Sequence, residues 1–308
     1  MLDERQSKLL DAPEDQNLPC FVYGALKPGM PAFEQLRGFV AKHEPDVVSG
    51  DLWVRDGLPM LRTNDSQNIS GVLLRWMPGQ EADGYRAVCH FEPRSHYSWS
   101  EVELRSGTKA NTLVMRFAGK GNPQVLDQNR WNFRDDPAFG PGMEAVEAVL
   151  REVDAMPGDS FQSNWHRFFR SQMAYLLLWS ILERLSALCI GPAEAPTSRI
   201  KRLHELPGME DIVRRHVKRS GKVSDSRNPK SGASLDAENA KKSFDYYYQV
   251  RSNLSHRGKA VFKEFETVHS SLRELLGITK EYLEGLQSTE ERASGSLESS
   301  NPTIPKPQ

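Results

Sequence analysis

An apolar segment that runs into a glycine turn is the first feature whose residue types could bind a ligand. The sequence FVYGALKPG, residues 21–29, predicts a strand followed by a turn. A glycine after a strand lets the backbone approach a ligand closely, and N–H groups exposed at such a turn can hold a carboxylate or an oxyanion. The same pattern also occurs in ordinary hairpins, so the turn predicts either an anion site or a plain chain reversal.

A second polar cluster lies in the sequence YYYQVRSNLSHRGK, residues 246–259, within a segment whose spacing predicts an amphipathic helix. Five residues of a regular helix turn through about 140°, so Arg251 and His256 do not share a face. His256 shares one with Ser252 and Asn253. We therefore expect Arg251 to bend toward the other side chains or to act with another chain. The cluster favours polar bonds rather than helix packing.

The segments around the glycine turn predict a β-rich domain. From residue 19 to 117, short apolar segments alternate with Gly, Pro, Asn and Asp, which is typical of strands and turns. One of these segments is YRAVCHFE, residues 85–92. Residues 119–143 are rich in turn formers but hold Trp131, Phe133 and Phe139, which predicts an ordered excursion packed on the first domain.

The apolar spacing becomes helical from Met143 onward. The segment 235–286 predicts a long helix, which we expect Gly277 to bend or break. Residues 220–234 are rich in Ser, Gly and Lys and predict a mobile loop, and the composition of residues 288–308 predicts a disordered tail.

Four segments, in their order along the chain, resemble the gamma-glutamylcyclotransferase-like family. They are FVYGALKPG, GDLWVRDGLPML (residues 50–61), ISGVLLRW (residues 69–76) and CHFEPRSHYSWSEVEL (residues 89–104). The resemblance covers about residues 18–120 and implies a small mixed β-barrel with helices packed around it. It also implies a ligand site formed by the turn residues Tyr23, Gly24, Ala25 and Leu26, with Glu92 as the proton shuttle and Tyr97 beside it.

The reaction that this resemblance implies is the cyclisation of a γ-glutamyl compound. Glu92 would take a proton from the α-amine, the amine would attack the γ-carbonyl, and the same carboxyl group would protonate the leaving amine. Two alternatives stay open: the site binds a ligand without turning it over, or Glu92 is a strand-end carboxylate that faces solvent.

The helical half resembles HEPN domains of the ApeA-like group over about residues 160–285. Arg251 and His256 match the arginine-x(4 to 6)-histidine motif, YYYQVRSNLSHRG resembles the final helix, and LLLWSILERL (residues 176–185) resembles an earlier helix whose acidic residue is Glu183. The resemblance implies an all-helical bundle of a kind common in toxins, phage-defence proteins and RNA-processing proteins.

The resemblance to active members of that group implies metal-independent RNA cleavage. His256 would be the general base or acid, and Arg251 would stabilise charge on the phosphorane. Asn253 would orient His256 or the phosphate, and Glu183 would hold Arg251. Two such sites usually meet across a symmetric dimer, so a homodimer is predicted. The alternative is a buried polar network that sets helix register in a non-catalytic bundle.

Composition limits these possibilities. The 308 residues are 38% hydrophobic, which is enough for two domains, and the net charge of −1 means that any contact with RNA needs a local basic patch. The basic side chains of residues 199–230 are Arg199, Lys201, Arg202, Arg214, Arg215, Lys218, Arg219, Lys222, Arg227 and Lys230. They predict either a phosphate-binding patch or a solvated helix face. Tyr246, Tyr247 and Tyr248 could stack on bases, although we expect at least one in the core.

The cysteines and the apolar runs indicate in which cellular compartment to expect the protein. Cys20, Cys89 and Cys189 stand singly, so neither a metal site nor a disulfide framework is predicted, and no cofactor is expected. The N-terminus has no apolar signal core, and the longest apolar run, MAYLLLW (residues 173–179), is too short for a membrane span. These features predict a soluble cytoplasmic protein without a membrane partner.

The predicted fold class is α+β, with an N-terminal mixed β-barrel and flanking helices (residues 18–142) followed by an all-α helical bundle (residues 143–287). The leading hypothesis is a HEPN-type ribonuclease, a toxin or defence effector, whose barrel senses or modifies a small-molecule ligand. The alternative is a gamma-glutamyl cyclotransferase-type enzyme whose helical domain dimerises or binds RNA. A third possibility is a scaffold in which both sites are inert.

Overall fold

The computed structural model describes residues 10–55, 57–92, 94–116, 123–158, 160–191, 194–225, 228, 230–256 and 264–295; for His256 and residues 287–295 it describes the backbone alone. The chain divides into two units, Met1–Phe133 with Gly285–Gln308, and Arg134–Glu284. The domain bounds predicted from the sequence stay predictions.

The first unit contains a closed five-stranded barrel with two flanking strands. The strands are β1 (Cys20–Val22), β2 (Val40–Arg55), β3 (Leu58–Thr63), β4 (Gln67–Trp76), β5 (Tyr97–Glu103), β6 (Lys109–Met115) and β7 (Gln124–Val125). The barrel runs β1-β4-β2-β3-β6 and closes where β6 pairs with β1, while β5 pairs with β6 and β7 with β2. The β3–β6 and β6–β1 pairs are parallel and the other barrel pairs are antiparallel. The barrel that the resemblance implied is therefore present.

The segment YRAVCHFE was predicted to be a strand, and that prediction is wrong. It lies in helix α1 (Glu81–Phe91), which buries Tyr85, Val88 and Cys89 at the i, i+3 and i+4 spacing of a helical face. Glu81 and Asp83 stand in the first turn, where negative charge favours a helix. A short apolar run has no periodicity that separates a strand from a helix, which explains the error.

The ordered excursion predicted for residues 119–143 packs on the barrel over residues 124–133, whereas residues 134–143 belong to the second unit. Leu126 N donates to Leu52 O at 2.8 Å, and Ser70 N donates to Asn129 O at 2.8 Å. Trp131 and Phe133 are buried. These contacts fasten the segment to the barrel.

The second unit is mainly helical. Its helices are α2 (Met143–Ala155), α3 (Phe161–Ile190), α4 (Pro196–Lys201), α5 (Met209–His216), α6 (Ala240–His256) and α7 (Phe265–Gly295), the last of which continues past the unit boundary. Buried aromatic and aliphatic side chains from α3, α6 and α7 form its core, among them Tyr175, Leu182, Phe244 and Leu272. The predicted fold class, a mixed barrel followed by a helical region, is confirmed.

Residues 220–234 were predicted to be a mobile loop, but the described part of this segment contains two strands. Strand β8 (Gly221–Ser224) pairs with β9 (Gly232–Leu235) in an antiparallel hairpin. Asn253 of α6 donates through Nδ2 to Ser224 O at 2.9 Å, and Leu235 is buried. The hairpin depends on these contacts with a distant helix, which a local polar composition does not reveal.

Gly277 was predicted to bend or break the last helix, and the helix is not broken there. Helix α7 continues through it, and Gly277 instead makes room for α5, because a Cβ there would lie 2.4 Å from His216 Nδ1. His216 Nε2 lies 2.7 Å from Glu281 Oε2, one turn further along α7. The glycine is therefore a packing residue.

A Gly277→Ala substitution should destabilise the second unit. Alanine favours an exposed helix by about 1 kcal/mol over glycine, but overpacking against the His216 ring should cost about 1–3 kcal/mol. Gly285→Ala is the matched control on the same helix, because no described residue lies within 4 Å of a Cβ at that position. Urea unfolding of both variants checks this expectation, and a Gly277→Ala protein as stable as Gly285→Ala would contradict it.

Helix α3 is the one helix in the described part of the chain that is long and apolar enough to cross a membrane, by length and composition only. In its most apolar window 56% of the residues are buried, and the core helix of a soluble protein passes the same test. Its exposed large apolar side chains are Phe161, Phe169, Met173 and Leu177. A single helix of this kind is weak evidence for a membrane span.

Candidate functional site

The residues predicted for the barrel site line one pocket. Tyr23, Gly24, Ala25 and Leu26 follow β1, Glu92 follows α1, and Tyr97 begins β5. The rest of the described wall is largely apolar and comes from Cys20, Phe21, Val22, Leu58, Pro59, Val88, Phe91 and Leu113. The empty volume is about 460 Å³, counted out to the pocket's opening into solvent. The closed barrel brings these separate segments together.

The turn presents backbone donors beside this pocket. Lys27 N donates to Gly24 O at 3.2 Å and closes the turn. Within the part of the chain that the structure describes, the N–H groups of Gly24, Ala25 and Leu26 donate no hydrogen bond. Gly24 is required by close approach, because a Cβ there would lie 2.6 Å from Pro59 Cγ. Three consecutive N–H groups can hold a carboxylate or an oxyanion.

Two tyrosine hydroxyls fasten the pocket wall. Tyr23 donates to Leu113 O at 2.7 Å and accepts from Leu61 N at 3.0 Å, and Tyr97 donates to Pro59 O at 2.8 Å. Burial raises the pKa of Tyr23 well above its usual range; the Leu61 N–H opposes this shift and the charge of Glu92 adds to it. Tyr23 therefore stays neutral and does not shuttle protons at neutral pH.

Glu92 is the carboxylate in the described wall of the pocket. It is half-buried, and its N–H donates to Val88 O at 3.0 Å at the end of α1. One alternative had Glu92 at the end of a strand, but Glu92 follows a helix. The site thus combines one carboxylate, a row of backbone donors and apolar walls, which can bind a carboxylate ligand and move a proton.

In the helical unit, Glu183 lies close to Arg251. The distance from Arg251 Nη2 to Glu183 Oε1 is 4.0 Å, and Trp179 Nε1 donates to the same oxygen at 3.1 Å. Arg251 Nε is buried and makes no hydrogen bond within the described residues. The two side chains are close enough to form an ion pair, and the roles predicted for them stay predictions.

Asn253 contacts different groups. Its side chain is buried, donates to Ser224 O and accepts from Gln249 Nε2 at 3.1 Å. Asn253 therefore supports the β8–β9 hairpin. Among the described residues, no hydrogen bond joins Asn253 to Glu183. The side chain of His256 lies outside what the structure describes.

Many of the basic side chains between residues 199 and 230 are paired with carboxylates. Lys201 contacts Asp245, Arg202 contacts Glu194 and Glu205, Arg214 contacts Asp211 and Glu238, Arg215 contacts Glu281, and Arg219 contacts Glu274. Arg227 lies outside the described residues. These ion pairs reduce the local positive charge that the sequence suggests. Tyr246 and Tyr247 are buried, so the expectation that at least one tyrosine is in the core is confirmed.

A buried ionic network in the helical unit has no signal in the sequence. Arg219 donates two hydrogen bonds to Glu274, from Nε to Oε1 at 2.8 Å and from Nη2 to Oε2 at 3.0 Å. Tyr247 donates to Glu274 Oε2 at 2.9 Å, and Tyr175 donates to Tyr247 O at 2.9 Å. Burial raises the pKa of both tyrosines, and the charge of Glu274 adds to the shift. Both hydroxyls therefore stay protonated and hold the bundle together.

Comparisons with known proteins add little. No family model and no curated protein matches the sequence. An uncharacterized protein from Pyrococcus horikoshii is similar to 46% of this chain over 99% of its own, with 17% identity and a TM-score of 0.30. The allophanate hydrolase of Kluyveromyces lactis is similar over 38% of this chain and 21% of its own, with 18% identity and a TM-score of 0.30. Likenesses this distant carry no argument about function.

Proposed function

We propose that the barrel pocket binds a γ-glutamyl compound and cyclises it, with Glu92 as the acid and base. The observation that carries this proposal is that Glu92 and residues 24–26, here called the donor turn, line the same largely apolar pocket. The sequence favoured the helical unit as the active one. The pocket supports the barrel better, because every residue predicted for that site lines it.

The mechanism follows from the positions of these groups. The α-carboxylate of the ligand accepts hydrogen bonds from the N–H groups of Gly24, Ala25 and Leu26. The α-amine nitrogen attacks the γ-carbonyl carbon and loses a proton to Glu92 as the ring C–N bond forms. The γ-amide C–N bond then breaks, and the protonated Glu92 gives its proton to the leaving nitrogen. The products are 5-oxoproline and a free amine, and Glu92 is again a carboxylate.

The pocket wall contributes by restricting water. Apolar side chains such as Phe21, Val88 and Phe91 lower the local dielectric constant, which strengthens each hydrogen bond to developing charge. The Tyr23 and Tyr97 hydroxyls are already bonded to backbone oxygens, so they hold the wall in place. Glu92 is thus the group in the described wall that is suited to exchange a proton with the ligand.

The test is release of 5-oxoproline from a panel of γ-glutamyl amino acids, peptides and amines by the purified protein. The matching α-glutamyl compounds are the controls, because their amine is bonded to the α-carbonyl, so attack on the γ-carboxyl group would not release it or give free 5-oxoproline. We expect release from at least one γ-glutamyl compound and from none of the controls. No release across the panel would overturn the proposal.

A second candidate function is RNA cleavage by the helical unit. The observation that favours it is the 4.0 Å approach of Arg251 to Glu183. This candidate requires RNA as the substrate and a second copy of the chain as the partner, and both stay predictions. Sedimentation velocity would show whether the protein is a dimer.

His256→Ala should lower cleavage of a mixed RNA pool, measured in EDTA, by about 10²–10⁴-fold if His256 transfers a proton. Ser255→Ala, an exposed neighbour on α6, is the control and should cleave as the wild type does. Equal cleavage by His256→Ala and wild type would contradict the proposal that the helical unit cleaves RNA through His256. Salt-sensitive RNA binding without product would instead indicate a scaffold.

A further inference from the structure

The barrel pocket has a buried floor and a mouth that borders solvent. Side chains of the floor, such as Val22 and Val88, are buried. The half-exposed lining residues of the described chain, here called the mouth, are Gly24, Ala25, Leu58, Phe91 and Glu92. Part of the donor turn and the proposed proton carrier therefore lie at the mouth, together with two large apolar side chains.

The polar atoms of the floor carry no charge. The hydroxyls of Tyr23 and Tyr97 donate to backbone oxygens of the barrel. The Cys20 thiol is 1% exposed, and burial raises its pKa well above its usual range, so it stays an uncharged thiol. A ligand group that enters the floor therefore gives up its hydration mainly for apolar contacts, which favours hydrocarbon over charge.

The proposed reaction places the leaving amine beside Glu92. A carboxyl group that protonates the leaving nitrogen lies about 3 Å from it. In a γ-glutamyl amino acid, the carbon bonded to that nitrogen carries a second carboxylate. This carboxylate would lie within roughly 6 Å of the Glu92 carboxyl group, by ordinary bond lengths. Two like charges at this distance repel more strongly beside apolar walls than in water.

An amine with only a hydrocarbon substituent avoids this repulsion and fits the walls. A substituent that points to the floor contacts Val88 and Leu113, and one that points to solvent passes Leu58 and Phe91. Burial of a hydrocarbon group is favourable in proportion to the apolar area removed from water. The described wall thus suits a hydrocarbon substituent in either direction.

We propose that the barrel pocket selects γ-glutamyl compounds whose leaving amine carries a hydrocarbon group and no carboxylate. The substrate class is then the γ-glutamyl alkylamines and arylalkylamines rather than the γ-glutamyl amino acids. Apolar side chains bind the hydrocarbon group, and Glu92 repels an acidic one. The inference rests on the proposed function, because it takes Glu92 to contact the leaving nitrogen.

The experiment uses pairs of compounds that differ by a single carboxylate. γ-Glutamyl-3-methylbutylamine is matched with γ-glutamylleucine, and γ-glutamylphenethylamine with γ-glutamylphenylalanine. In wild type, kcat/KM for release of 5-oxoproline should be about tenfold or more higher for the amine of each pair.

Leu58→Lys places a cation at the mouth, so it should improve turnover of the amino acid compounds and lower the ratio of the two kcat/KM values severalfold. Thr63→Lys is the matched control, because it adds the same charge at an exposed position of β3 that does not line the pocket. It should keep the wild-type ratio. If Leu58→Lys does not fold, the wild-type ratios of the two pairs decide the question.

The outcomes separate this inference from the proposed function. Turnover of the amino acid compounds as fast as of the amines would overturn the inference and leave the reaction standing. If no compound releases 5-oxoproline, calorimetry of the same pairs decides: tighter binding of the amines would support the inference and overturn the reaction. A wild type that binds neither member of either pair would overturn both. A Leu58→Lys protein with the wild-type ratio would show that charge at the mouth does not control selection, which would also overturn the inference.

Discussion

Glu92→Gln should lower the rate of 5-oxoproline release by about 10²–10⁴-fold, because a glutamine amide cannot accept and return the proton. The side chain keeps its size, and Glu92 is half-buried at the end of α1, so the fold should be retained. Binding of 5-oxoproline should persist, because the N–H donors of the turn are unchanged. Initial rates with the best substrate of the panel, together with calorimetry, measure both effects.

Glu103→Gln is the matched control for this variant. Glu103 is an exposed glutamate at the end of β5 in the same unit and does not line the pocket. Its replacement should change the rate less than twofold. A Glu92→Gln protein that retains a third or more of the wild-type rate would show that another group moves the proton.

Glu274→Ala should destabilise the helical unit by about 3–5 kcal/mol, because it leaves Arg219 partly buried without its carboxylate. Glu274 is 9% exposed and accepts hydrogen bonds from Arg219 and Tyr247. Removing it also leaves the Tyr247 hydroxyl without this acceptor, which adds a desolvation cost. Urea unfolding and hydrogen exchange of α6 and α7 measure the loss.

Two further variants distinguish loss of the ion pair from loss of packing. Glu266→Ala removes an exposed glutamate from the same helix and should change stability by less than about 1 kcal/mol. The double variant Arg219→Met with Glu274→Leu removes both charges, and it should be more stable than Glu274→Ala alone. A double variant at least as unstable as the single one would show that the charges themselves are not the cause.

The barrel site could be located from the sequence because its signals are local. The turn at residues 23–26 combines an apolar run with a glycine, and Glu92 and Tyr97 lie within one short segment that resembles a known family. The α1 helix was misread because a short apolar run satisfies both strand and helix patterns. Gly277 was misread because its role depends on the His216 ring of α5, which approaches only in the folded unit.

The sequence by itself determined the order of a β-rich half and a helical half, the glycine turn, and the carboxylate proposed to act with it. Only the tertiary structure decided that the turn, Glu92 and Tyr97 share a pocket, that Asn253 supports a hairpin, and which charges are buried. Lys27 contacts Trp131 across 104 positions, and Arg219 contacts Glu274 across 55. Local patterns report backbone preference and the buried face of each element, whereas a buried charge is stable only beside partners that folding brings from distant parts of the chain.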